Sequence, residues 1–166
     1  MKPLLFASAF AAGLAFSATA EARVFETYDQ CVARYGAPVT TTKTDIGSNV
    51  AFLKNEVSVL VEFRKDKAVS VTYSKQQNAQ KSGENRSFGD DEIKLLLESN
   101  GGTEHRWKPV RKDMNGQPYW VTEDNALNAR ITGGLLLKVE DSEEFIRRGK
   151  DLPPAVKPAK RDLEGF

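Results

Sequence analysis

Between Val57 and Tyr73 the chain alternates apolar and polar residues with a period of two, and no other stretch limits its fold so tightly. VSVLVEF puts Val57, Val59, Val61 and Phe63 on one side of an extended segment. VSVTY does the same for Val69, Val71 and Tyr73. The charged stretch from Arg64 to Ala68 between them has room for little more than a turn. Two such runs predict an antiparallel hairpin with one buried side, which needs a helix to cover it.

A helix lies just upstream. Tyr28, Cys31, Val32 and Tyr35 fall at i, i+3, i+4 and i+7. Thr27 and Gln30 have the spacing of a capping box, Gly36 suits the left-handed position after a helix, and Pro38 blocks continuation. Val39–Asn49 reads as a strand ending in a turn at Gly47-Ser48-Asn49, and Val50–Leu53 as a short apolar strand. Lys75–Arg86 is polar and aperiodic, as in an exposed linker.

The second half repeats the order. SFGDDEIKLLLESNGG begins with carboxylates that suit a helix N-terminus, aligns Ile93, Leu96 and Leu97, and stops at glycine. EHRWKPV reads as an edge strand, because Pro109 lacks an amide donor. Asp113-Met114-Asn115-Gly116 is a turn. PYWVT, ALNARI and LLLKV form a meander in which Tyr119, Val121, Leu127, Ala129, Ile131, Leu135, Leu137 and Val139 share the inner face. DSEEFIRRG ends the unit as a short helix stopped by Gly149. The predicted class is α+β: an antiparallel sheet with short helices packed on one face, in the order of a duplicated helix-then-strands unit. The divisions are 1–22 signal peptide, 23–74 first unit, 75–87 linker, 88–150 second unit packed with the first, and 151–166 a flexible tail rich in proline and charge.

The first 22 residues read as an address. Lys2 precedes an uncharged apolar run, Leu4–Phe16, too short to span a bilayer, and alanines at 18, 20 and 22 fit small-x-small cleavage. A mature start at Arg23, or alternatively Glu21, is expected. Cys31 lies downstream of both sites with Gln30 before it, so it is not placed as a lipoprotein anchor. As the single cysteine it can form no disulfide within the chain. Its place on the helix face predicts a buried, unpaired thiol.

Several chemistries lack their residues. Formal net charge is +1 with signs scattered, unlike the basic face of a nucleic-acid binder. One histidine and one cysteine cannot build a structural zinc site. Asp113-Met114-Asn115-Gly116 opens like a calcium loop, but its bidentate acid is missing. His105 is the only base for a serine triad, and no G-x-S-x-G surrounds any serine. Asp90-Asp91-Glu92 and Glu143-Glu144 stand at helix starts, where the macrodipole accounts for them. No cofactor, metal or catalytic residue is assigned.

CVARYGAPV followed by VSVLVEFRKDKAVSVTYSK resembles the helix–Gly–x–Pro–hairpin pattern of the BamE (SmpA/OmlA) and β-lactamase-inhibitor-protein-like group. The match rests on Tyr35-Gly36-Ala37-Pro38 and the Val57–Tyr73 hairpin; the lipobox of BamE is missing. The resemblance implies an exported bacterial module, without chemistry of its own, that binds other proteins through its sheet.

On the face opposite the core most residues are polar, as expected for a solvated sheet. Leu60, Trp120 and Leu136 stand out there, with Arg130 beside Trp120. These four residues form the predicted binding patch, Trp120 being the aromatic anchor. The alternative is that they are scattered surface hydrophobes, or are covered by the last helix. The expected function is a soluble periplasmic or secreted protein-binding or envelope-assembly module. Its partner would be another exported or envelope protein, with no nucleic acid and no membrane span after signal cleavage. The competing reading is a small secreted hydrolase that uses carboxylates not identifiable from sequence.

Overall fold

A computed structural model describes residues 23–76, 87–110 and 116–151. The expected signal segment, most of the expected linker, residues 113–115 of the expected turn and the expected tail past Asp151 lie outside the described residues. Helix α1 (Tyr28–Tyr35) leads into strands β1 (Thr40–Thr44), β2 (Gly47–Lys54), β3 (Val57–Arg64) and β4 (Lys67–Lys75). Helix α2 (Asp90–Gly101) leads into β5 (Trp107–Val110), β6 (Tyr119–Thr122), β7 (Leu127–Thr132) and β8 (Leu136–Asp141), and α3 (Ser142–Asp151) follows. The architecture is α+β, as the alternating runs predict.

Among the described residues all strands belong to one antiparallel sheet of eight, in the order β1-β2-β3-β4-β8-β7-β6-β5. Each half is a meander, and the two meet at their last strands, so β1 and β5 are the outer edges. Register aligns one residue per strand across the sheet. Val50, Val61, Val71, Val139, Ala129 and Trp120 stand side by side on the inner face. The four valines are wholly buried, and each contributes about 1.5–3 kcal/mol of hydrophobic stabilisation.

Helices α1 and α2 cover this face. Tyr28 and Tyr35 of α1 pack on Phe63 and Phe52, with ring centroids 5.9 and 5.3 Å apart. The Asn100 amide of α2 donates to the Tyr73 hydroxyl at 2.9 Å, and the Trp107 indole donates to the Leu97 carbonyl. The capping box forms as its spacing requires: the Thr27 amide donates to Gln30 Oε1 at 2.8 Å, and the Gln30 amide to Thr27 Oγ1 at 3.3 Å.

Departures from the sequence reading have local causes. Gly47-Ser48-Asn49 belongs to β2, and the turn falls at Asp45-Ile46. Glycine serves there as a spacer, since a Cβ at Gly47 would lie 1.9 Å from the Phe63 carbonyl oxygen. A bulge between Glu62 and Phe63 pairs Phe63 with Ala68 and leaves Val69 as the extra residue. The tight turns Asn55-Glu56 and Lys65-Asp66 take positive φ at both positions (49° and 65°, 48° and 62°), as two-residue hairpin loops of this hand require. Helix α3 runs through Gly149 to Asp151 and packs on the opposite face from α1 and α2.

Cys31 is free and wholly buried. Burial, with Glu26 nearby, pushes its thiol up to about 12, against the opposing pull of Arg34. A thiol so placed is a weak nucleophile. Cys31→Ala should lower stability by about 1 kcal/mol in denaturant titrations. Alkylation of Cys31 at pH 8 should require unfolding, and rapid labelling of the native protein would contradict this burial.

Candidate protein-binding face

The second sheet face begins with the same register. One cross-sheet row runs Ala51, Leu60, Thr72, Lys138, Arg130, Tyr119 and Val110. A neighbouring row runs Asn49, Glu62, Ser70, Glu140, Asn128 and Val121. On the other side lie Leu53, Ser58, Ser74 and Leu136.

Helix α3 covers the polar row, and it does so with its charged side. Arg148 Nη1 donates to Glu62 Oε1 at 3.3 Å and lies 3.7 Å from Glu140. Glu144 accepts from Arg147 Nε at 2.9 Å and from Arg148 Nε at 3.0 Å, and pairs with Arg64 at 3.8 Å. Glu140 is fully buried, with Arg130 and Lys138 at 3.4 and 3.3 Å. Ser70 and Asn128 are buried in the same layer. Meanwhile Phe145 and Ile146 of α3 remain exposed. Removing one partner from such a network costs about 3–5 kcal/mol, because the other charge is stranded.

The network also bears on acid–base chemistry. The hydrogen bond from Arg147, reinforced by Arg148, holds the Glu144 carboxyl at about 2 against the effect of burial. A carboxylate stabilised so strongly is a poor proton acceptor near neutrality. Glu143-Glu144, read from sequence as a dipole-favoured helix start, therefore has a second role in Glu144, which anchors α3. No signal in the sequence links Glu144 to Arg64, since the pair forms only when α3 folds back over the sheet.

The four sequence-predicted residues divide between the faces. Leu60 and Leu136 lie on the second face, 39% and 43% exposed. Arg130 joins them but is engaged, with its guanidinium 5.6 Å over the Phe145 ring and 3.4 Å from Glu140. Trp120 is on the opposite face, in line with Ala129 and Val139. The reason is the turn between β6 and β7: Trp120 pairs with Ala129, so even-numbered residues of β6 share a face with odd-numbered residues of β7. The expected inward pointing of Tyr119 and Val121 is corrected for the same reason, and Leu135 precedes β8 altogether. Sequence reading missed Leu53 and Tyr119 as members of the second face.

Trp120 instead lines a groove of about 580 Å³ between α2 and the β5 edge, with Ile93, Leu97, Trp107 and Pro109. His105 borders it, its Nδ1 2.6 Å from Asp124 Oδ2. Among the described residues, the lining contains no serine, threonine or cysteine that this pair could activate. Among the described residues no cluster of His, Cys, Asp and Glu could hold a metal ion, and no helix is long and apolar enough to cross a membrane.

The fold defines the chain as an antiparallel α+β sheet protein with one helix-covered apolar face and one partly open face. No family model and no curated protein matches the sequence. Among solved structures it is similar to a cysteine-rich secretory protein from Staphylococcus aureus, with 11% identity over 74% of this chain and 44% of that one, at a TM-score of 0.42. It is also similar to an extracellular SCP-domain protein from Bacillus anthracis, with 9% identity over 90% of this chain and 52% of that one, at a TM-score of 0.44. The chain thus spans about half the length of either neighbour, and likenesses this faint carry no function to it.

The depressed Glu144 group has a signed consequence. Its charged form is favoured in the folded state, so its stabilisation is present above the unfolded carboxyl value of 4.5 and is lost as pH falls toward about 2. Glu144→Gln should therefore lower the melting temperature at pH 7, and the difference from wild type should shrink steadily between pH 4.5 and 2. An unchanged difference across that range would exclude an ionic role.

Proposed function

We propose that this chain is an exported protein-binding module, without chemistry of its own, that captures its partner on the second sheet face around Leu60 and Leu136. One observation carries the reading. These two leucines are each about two-fifths exposed on a rigid sheet, facing away from α1 and α2 and beyond the row that α3 covers. Thr72 and Ser74 lie between them on β4, leaving a shallow surface flanked by aliphatic side chains, with Lys138 at its margin.

The signal-like start at residues 1–22 supports export, to the periplasm or the medium. The resemblance of Tyr35–Pro38 and the Val57–Tyr73 hairpin to the BamE and inhibitor-like group supports binding through a sheet. The carboxylates that meet beneath α3 are each held by arginine or lysine, which favours a structural role over hydrolysis.

Affinity capture from envelope extract tests the reading. Leu60→Asp with Leu136→Asp should keep the wild-type melting temperature within a few degrees and lose the captured partner about tenfold or more, since each removes an aliphatic contact and buries a charge at the interface. Trp120→Ala, on the other face, should leave capture intact while lowering stability. Equal capture by wild type and the double-aspartate variant, or turnover of generic hydrolase substrates, would overturn the proposal.

A further inference from the structure

The groove between α2 and β5 lies along an outer edge of the sheet. Its α2 wall carries Asp90, Lys94 and Glu98, about one residue per turn, over about 12 Å of helix. Trp107, Pro109 and Trp120 of β5 and β6 give it an apolar floor. The C-terminal end of α2 sits against the start of β5: a Cβ at Gly101 would lie 2.7 Å from the Trp107 indole nitrogen and 3.7 Å from His105 Cβ. Arg106 and His105 therefore stand at the Glu98 end of the groove, and Asp90 at the other.

Although β5 is an edge, it is a poor template for another strand. The Arg106 carbonyl accepts from the Glu123 amide at 2.8 Å, one position before the Trp107–Thr122 pair. Bonded pairs alternate in an antiparallel ladder, so Lys108 and Val110 also turn their backbone groups to β6, and Trp107 and Pro109 turn theirs outward. Pro109 has no amide hydrogen, which leaves Trp107 as the one outward donor of β5. A polyproline II segment needs no ladder, and it docks in grooves lined by aromatic side chains. Trp107 and Trp120 supply that lining, with Pro109 directly opposite Trp120. The Trp107 indole donor is spent on the Leu97 carbonyl. The Trp120 indole has no acceptor among the described residues, so it can donate to a ligand carbonyl.

The rim selects the ends of the ligand. Lys94 pairs with Glu98 at 3.9 Å. The exposed side chains of Asp90 and Arg106 have no ionic or hydrogen-bond partner among the described residues. One end of the groove thus presents an unpaired negative charge and the other an unpaired positive one. At about 3 Å per residue, roughly four polyproline II residues fill the distance along α2.

We propose that this groove binds a short proline-rich peptide in the polyproline II conformation, its prolines on Trp107 and Trp120, an acidic residue at Arg106 and a basic residue at Asp90. The site is on the opposite face from Leu60 and Leu136 and does not depend on the binding reading above.

The test titrates the full mature chain with a Lys–tetraproline–Glu hexapeptide and follows the tryptophan indole N–H resonances by NMR. The Trp120 indole resonance should shift and saturate. Lys–tetraalanine–Glu should bind at least about threefold more weakly, because its extended form is not pre-organised. Arg106→Glu should weaken Lys–tetraproline–Glu about threefold and strengthen Lys–tetraproline–Lys, an exchange that a merely structural arginine would not produce. Leu60→Asp/Leu136→Asp should bind the peptide as wild type does, so the groove and the second face are judged separately. A Trp120 resonance unmoved by millimolar peptide, equal binding of the proline and alanine peptides, or indifference to Arg106→Glu overturns the proposal.

Discussion

The pairing of β4 with β8 is the contact on which the rest of the structure depends. Five residue pairs, from Ser70–Glu140 to Ser74–Leu136, join two meanders into one sheet. Without them the apolar row from Val50 to Trp120 would split, and each half would offer an open central edge to other chains. The same pairing sets Ser70 beside Glu140, and so creates the polar row on which α3 rests. Both faces are therefore consequences of one strand-to-strand register.

The two faces are covered by different physics. Helices α1 and α2 bury aromatic and aliphatic side chains, a non-directional contact that tolerates small shifts. Helix α3 is held by guanidinium–carboxylate geometry around Glu62, Glu140 and Glu144. Such contacts depend on the alignment of each pair, and on pH through the carboxylates. The pH-dependent contacts of the molecule therefore lie on the second face, beneath α3.

Much of the fold was legible because local rules and tertiary needs agree. The capping box at Thr27 and Gln30, the glycine stop of α2, the Val57–Tyr73 hairpin and the edge position of Pro109 are all local signals. The site was less legible because it depends on parity, which a turn can invert. The β6–β7 connection reverses the phase of Trp120, so a residue that looked like an exposed anchor stands in the core row instead. Leu60 and Leu136 kept their expected side because the β3–β4 bulge lies below Leu60 and the β4–β8 register is unbroken. Gly47 was misread for a different reason: glycine marks turns and close backbone approaches alike, and only the distance to Phe63 separates them. The α3 network was invisible in sequence because its partners lie far apart in the chain, Glu62 and Arg148 by 86 positions.

Amide hydrogen exchange across the centre of the sheet tests the account most directly. In a single eight-stranded sheet, the β4 and β8 amides that face each other should exchange only through global unfolding, as slowly as those of β3 and β7. Fast, edge-like exchange of those amides beside protected β3 and β7 would mean two separate meanders. The shared face, the seat of α3 and the shallow surface between Leu60 and Leu136 would then not exist.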